Sequence, residues 1–187
     1  RRLVYRSLIG GCAFASMSIL FSTIAMLLTA PPFSLPDVWV GILTLVGVFG
    51  ALSTQWIGKW ADRGHNLVLT WMGCGILAIS WGLLYLGGQS LMSYALGYAV
   101  INLGLAMVHS CNQNVIFKLN PNARSRINSI YMTLYFIGGA GGSALGVYAW
   151  HHGGWPAACL TGFGLVCGAS LMALMDQLGQ KQPATTH

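Results

Sequence analysis

"GKWADRGHN", residues 58–66, is the most polar stretch in the first hundred residues of a chain that is otherwise largely apolar. Lys59, Asp62 and Arg63 stand together between glycines, with long apolar runs before and after. Only 6% of the 187 residues are charged, so three charges in nine positions need a reason. A soluble domain is normally about a quarter charged. This chain is 55% hydrophobic, with a mean hydropathy of +0.65. Apolar runs of roughly 18 residues or more mark membrane spans. The loop therefore reads as a connection between two spans.

Working outward from it, six apolar spans are expected, at roughly 7–30, 38–57, 67–87, 91–117, 128–150 and 156–175, all in one transmembrane domain over 1–187. The fold class is an all-α membrane protein. Each span, at about 1.5 Å per residue, covers a hydrocarbon core of about 30 Å. The first ends at "PPFSLPD", residues 31–37, where three prolines stop a helix, and Asp37 is placed to cap the second. "WHHGGW", residues 150–155, reads as the loop before the sixth.

The nine basic residues then sort to one side. Arg1, Arg2 and Arg6 precede the first span, and Lys59 and Arg63 follow the second. Lys118, Arg124 and Arg126 follow the fourth, and Lys181 the sixth. The positive-inside rule makes that side cytoplasmic, in a cell inner (plasma) membrane, with both termini inside. The +6 net charge is thus explained by orientation, and no nucleic-acid partner is expected. Trp39, Trp150 and Trp155 fall at outer span ends and Trp56, Trp60 and Trp71 near inner ends, as aromatic belts would. Arg1 is not Met, so the chain reads as one whose beginning lies upstream, a fragment or truncated product.

The pattern G-x-x-x-D-R, met here as Gly58, Asp62 and Arg63, resembles the signature loop of major facilitator superfamily transporters. The following Gly64 comes one residue early, and His65 and Asn66 replace the usual basic tail. "NPNARSRINSIYMTLYFIGGAGGSALG", residues 120–146, is similar to the tenth-to-eleventh helix region of bacterial drug-efflux-like members. The resemblance implies the C-terminal six-helix half of a twelve-helix transporter. It also implies alternating access and a cytoplasmic gate latch at Asp62 and Arg63. The partners it implies are the bilayer, a small-molecule substrate, and a missing N-terminal half or a second copy.

Residues within the spans add candidates. "NLGLAMVHSCNQN", residues 102–114, carries Asn102, His109, Asn112, Gln113 and Asn114. Asn102, His109 and Gln113 fall within about 40° on a helical wheel, with His109 near mid-membrane. Polar groups at that depth face a bundle interior or wet cavity, so this stripe is read as substrate pathway. An interhelical hydrogen-bond seam is the other reading, and both stay open. In the fifth span Gly138, Gly142 and Gly146 repeat a small-xxx-small pattern suited to close helix packing. Tyr131 and Tyr135 on the same face line a cavity or fill an interface.

Asp37, Asp62 and Asp176 all fall at span edges, leaving no embedded carboxylate. If the intact protein is proton-coupled, His109 or the other half supplies the titrating group. The five cysteines are single and far apart, and His151-His152 lacks acidic or cysteine partners. No metal, cofactor or enzymatic site is expected. Two functions remain: half of a solute transporter, possibly for efflux, or a non-transporting remnant or membrane interaction module.

Overall fold

The computed structural model describes residues 1–181, all in helices and short turns. Helix α1 (Arg2–Thr29) starts before the expected span and ends against the prolines at 31, 32 and 36. A turn closed by Leu35 N–H on the Leu28 carbonyl, 2.8 Å, leads into α2 (Val38–Leu45). Asp37 sits at the N-cap position of α2, but its carboxylate makes no capping bond. The expected second span is interrupted: α2 stops and α3 (Val48–Asp62) begins after two intervening residues. Across the break the amides of Val46, Gly47 and Gly50 bond to carbonyls three residues back, the tighter pitch of a 3₁₀ turn. Opposite the break, Asn102 packs so closely that a Cβ on Gly50 would lie 2.6 Å from its own Cβ.

Gly64 turns the chain after α3 with φ at +92°, a conformation that favours glycine. Helices α4 (Asn66–Leu86) and α5 (Leu91–Phe117) form an antiparallel pair. Small residues set their spacing, Gly73 lying against Met107 and Val108, and Gly97 against Leu84. Ser90 caps α5 by accepting from the Ser93 amide. A 3₁₀ turn at Pro121–Ala123, capped by Asn120, leads to α6 (Arg124–Lys181).

Helix α6 is two arms joined at Gly154, whose φ of 68° and ψ of −156° no helix accepts. On the first arm Gly138, Gly142 and Gly146 face Gly11, Ala15 and Ile19 in rising order, so it runs parallel to α1. On the second, Gly168 lies near Cys12 and Asp176 near Arg6, so it runs antiparallel. The arms therefore fold back as a hairpin. The expected loop at 150–155 is shorter than anticipated. His151 and His152 are still helical, and His152 stacks on Tyr148. One glycine reverses the chain and Pro156 sits just beyond it, where the lost N–H costs least.

Five helical runs are long and apolar enough to cross a membrane, counting α2–α3 as one and both arms of α6 as one. The chain is an all-α, multi-pass membrane protein. Helix α1 is its axis, with 67% of its apolar window buried, against 17% for Val38–Asp62. Its serines and Thr23 do not disturb this, since Ser16 and Thr23 donate to carbonyls of their own helix. The outer faces of α2–α3 and α6 carry Leu52, Trp56, Trp60, Ile137 and Leu160, all exposed and suited to a lipid or partner surface. Trp155 is buried and donates to the Leu84 carbonyl at 2.8 Å, and Trp71 donates to Gln177 at 3.1 Å.

Candidate functional site

All nine basic residues lie at one end of the bundle, and that end holds two polar clusters. The inner one is centred on Arg6, in the second turn of α1, with only 2% of its surface exposed. A bare guanidinium there would be very costly, and four helical segments meet to satisfy it. Its Nε and Nη2 both lie 2.8 Å from Asp176 Oδ2 on the second arm of α6. Its Nη1 donates to Thr70 Oγ1 on α4 at 3.0 Å and to Asn112 Oδ1 on α5 at 3.4 Å. Thr70 passes its own proton to the Asn66 carbonyl, 2.7 Å, so its oxygen is free to accept. Gln180 and Arg2 complete the shell around Asp176.

The sequence places Asp176 at a span edge. Asp176 does lie near the basic end, but it is 3% exposed and locked to Arg6 inside the bundle. Both residues sit near span ends, where a charge reads as an orientation marker. Nothing in the local sequence says that their side chains turn inward and meet across 170 positions.

From Asn112 the cluster continues toward the aromatic core. Asn112 Nδ2 lies 3.5 Å from the Tyr131 hydroxyl, which lies 3.1 Å from His109 Nδ1. The His109 ring is also 4.8 Å, centroid to centroid, from Tyr135, and Tyr135 stacks at 4.3 Å on Phe14 of α1. Of the pathway candidates, the structure thus brings together His109, Tyr131 and Tyr135. Asn102 lies elsewhere: it donates to the Tyr98 carbonyl of its own helix and packs on the α2–α3 break. Gln113 is half-buried and makes no hydrogen bond among the described residues. Asn112, Phe14, Arg6 and Asp176 were not among the pathway candidates; only Asn112, a polar residue inside an apolar run, carried a signal.

The second cluster surrounds the opening loop. Asp62 accepts from Asn114 Nδ2 at 2.5 Å, and Asn114 accepts from Asn66 Nδ2 at 3.0 Å. One chain of three side chains thereby ties the ends of α3, α4 and α5. Arg63 is exposed and forms no ion pair among the described residues. Gly58 has open space where a Cβ would point, so no helix crowds it within this chain. The close approach belongs instead to the fifth-span glycines. A Cβ on Gly138 would overlap the Gly11 backbone, and one on Gly142 the Ala15 backbone.

The signature loop and the glycine-rich arm thus occur in one bundle of membrane helices. The family model described as Major Facilitator Superfamily matches residues 1–143. The chain belongs to the major facilitator superfamily. Among curated relatives, it is 42% identical over 157 residues to YgaY of Escherichia coli (strain K12), named as an uncharacterized transporter. That match covers 84% of this chain and 40% of the relative. It is 26% identical to a protein of Streptomyces coelicolor named as a probable transporter, over 86% of this chain and 38% of the relative. It is 27% identical to the MFS-type transporter YybF of Bacillus subtilis (strain 168), also named as uncharacterized, over 80% of this chain and 37% of the relative. No solved structure matches. The chain spans about two fifths of the length of the curated relatives it matches. The family is one of membrane transporters, and none of these relatives is named as an enzyme.

Proposed function

We propose that this chain is the C-terminal six-helix half of an alternating-access transporter that moves a small organic solute, in the efflux direction, across the inner membrane. The observation that carries the reading is the His109–Tyr131–Tyr135 cluster, a polar-aromatic group between α5 and the first arm of α6. A membrane-embedded polar group of this kind faces a pathway more often than lipid. Rocking of one half against another about a midplane site needs a second half. The match to only two fifths of each relative supports one. So does the large exposed apolar face of α2–α3. In this reading the basic end is cytoplasmic and the Asp62–Arg63 loop latches that side. Asp62 is held in place by Asn114, and Arg63 is left free to reach across.

The test is a substrate-panel efflux assay on the intact reading frame, with His109→Ala beside the unaltered protein. Loss of at least about tenfold in export of a transported compound, equivalent to about 1.4 kcal/mol, is the expected outcome. Unchanged export would remove His109 from the pathway. An intact protein that moves nothing on the panel would favour the non-transporting alternative.

A further inference from the structure

We propose that the Arg6–Asp176 pair, acting through Asn112 and Tyr131, fixes the tautomer of His109 so that its ring presents an N–H at Nε2 to a hydrogen-bond-accepting group of the transported solute. The argument is one of donors and acceptors along a chain of four side chains.

It starts at Arg6, which has only donors. Asp176 holds the guanidinium in one orientation, with Nη1 directed at Thr70 and Asn112. The Asn112 atom that faces Arg6 must therefore be its oxygen, and that places its amide nitrogen toward Tyr131. An amide nitrogen only donates. The Tyr131 oxygen is thus an acceptor toward Asn112, and its own proton must go elsewhere. Tyr131 is fully buried, and among the described residues His109 Nδ1 at 3.1 Å is the acceptor within its reach. If Nδ1 carried a proton instead, the buried hydroxyl proton would have no partner, an outcome that folded proteins avoid. Nδ1 is therefore bare, and the neutral imidazole carries its proton on Nε2.

Nε2 has no partner among the described residues, and the His109 ring is only partly buried. The end of the ring left free for a solute is consequently a donor. A carbonyl, ether or hydroxyl oxygen suits it, and a group that can only donate does not. The ligand class rests on the pathway reading of His109; the tautomer does not. Arg6, Asp176, Asn112 and Tyr131 are positioning residues in this scheme.

The experiment is ¹⁵N NMR of the purified full-length protein with labelled histidine, at a pH of about 8.5, above the ordinary histidine value of about 6.5. His109→Gln identifies the His109 signals by their loss. In the unaltered protein Nδ1 is expected at the position of a bare ring nitrogen and Nε2 at that of an N–H. Asn112→Asp then reverses the chain. An acceptor now faces Tyr131, the tyrosine proton turns to it, and the tyrosine oxygen must take a proton from His109, so Nδ1 becomes protonated. A packing role for Asn112 would not exchange the two signals. A protonated Nδ1 in the unaltered protein overturns the proposal whether or not the variant folds. So does a bare Nδ1 in a folded Asn112→Asp. Neither reading needs a transport assay. Export undiminished by His109→Ala would therefore defeat the pathway while leaving the tautomer result standing.

Discussion

Asp176→Asn leaves the Arg6 guanidinium buried with no counter-ion, and that is the more damaging half of breaking the pair. Removing one member of a buried ion pair costs about 3–5 kcal/mol, because the other charge stays desolvated. Replacing both by apolar residues of similar size is often close to neutral. Unfolding of the purified protein in detergent should therefore show a large loss for Asp176→Asn, and a distinctly smaller one for Arg6→Met combined with Asp176→Leu. Equal losses in the two would mean that the pair is not an isolated charge problem and that the account above is wrong. At this scale the sequence was half legible. His109 stood out because a polar group deep in an apolar run has few reasons to be there. Arg6 and Asp176 did not, since a charge near the end of a span has an ordinary solvated explanation. Only the rotation of each helix about its axis decides between edge and interior. The same holds for Asn102, which shares a helix face with His109 yet ends against the α2–α3 break instead of the aromatic cluster.

Where helices meet, the spacing of α1 against the first arm of α6 is set by glycines on one side and the backbone at Gly11, Ala15 and Ile19 on the other. Gly142→Ala puts a methyl into the Ala15 backbone, which has no flexible end to yield. Such overpacking typically costs about 1–3 kcal/mol. Gly141, one residue away, faces open space, so Gly141→Ala should be neutral, or stabilising by up to about 1 kcal/mol through helix propensity. Thermal unfolding of the two single variants side by side checks the contrast. A Gly142→Ala protein as stable as Gly141→Ala would place the helix contact elsewhere. The four-residue glycine repeat was readable as a packing face from spacing alone, but its partner was not. The partner face (Gly11, Ala15 and Ile19) lies more than a hundred residues earlier in a run with no evident pattern of its own. The α2–α3 break was equally hidden, since its close neighbour Asn102 lies on another helix. The reversal at residues 150–155 is legible in the sequence, but as a longer loop than the one that forms. A Gly-Gly pair followed by Trp-Pro reads as a loop, whereas a single positive-φ glycine suffices to fold α6 back.

For the molecule as a whole, the arrangement of charge was the clearest thing in the sequence, because it depends on counting spans and not on rotating them. Contacts at the two ends bear out the sorting of side chains. Arg6 with Asp176 and Asp62 with Asn114 mark the basic end. Trp155 with Leu84 and Gly87 with Tyr94 mark the other, which holds none of the nine Lys and Arg. Which end faces the cytoplasm is a separate matter. Lys and Arg in short loops hold their side of the membrane, since carrying them across is unfavourable, so residues 59–63 and 118–126 are predicted inside. Single cysteines in a background lacking Cys12, Cys74, Cys111, Cys159 and Cys167 would read this directly. A membrane-impermeant thiol reagent applied to intact cells should label Gln89→Cys and His151→Cys, both exposed at the end without basic residues. Arg63→Cys and Lys118→Cys, exposed at the basic end, should react only after the cells are opened. The reverse pattern would turn the bundle over. The Asp62–Arg63 loop would then lie on the outer face, where it could not serve as a cytoplasmic latch, although the helix contacts and the Arg6–Asp176 cluster would stand unchanged.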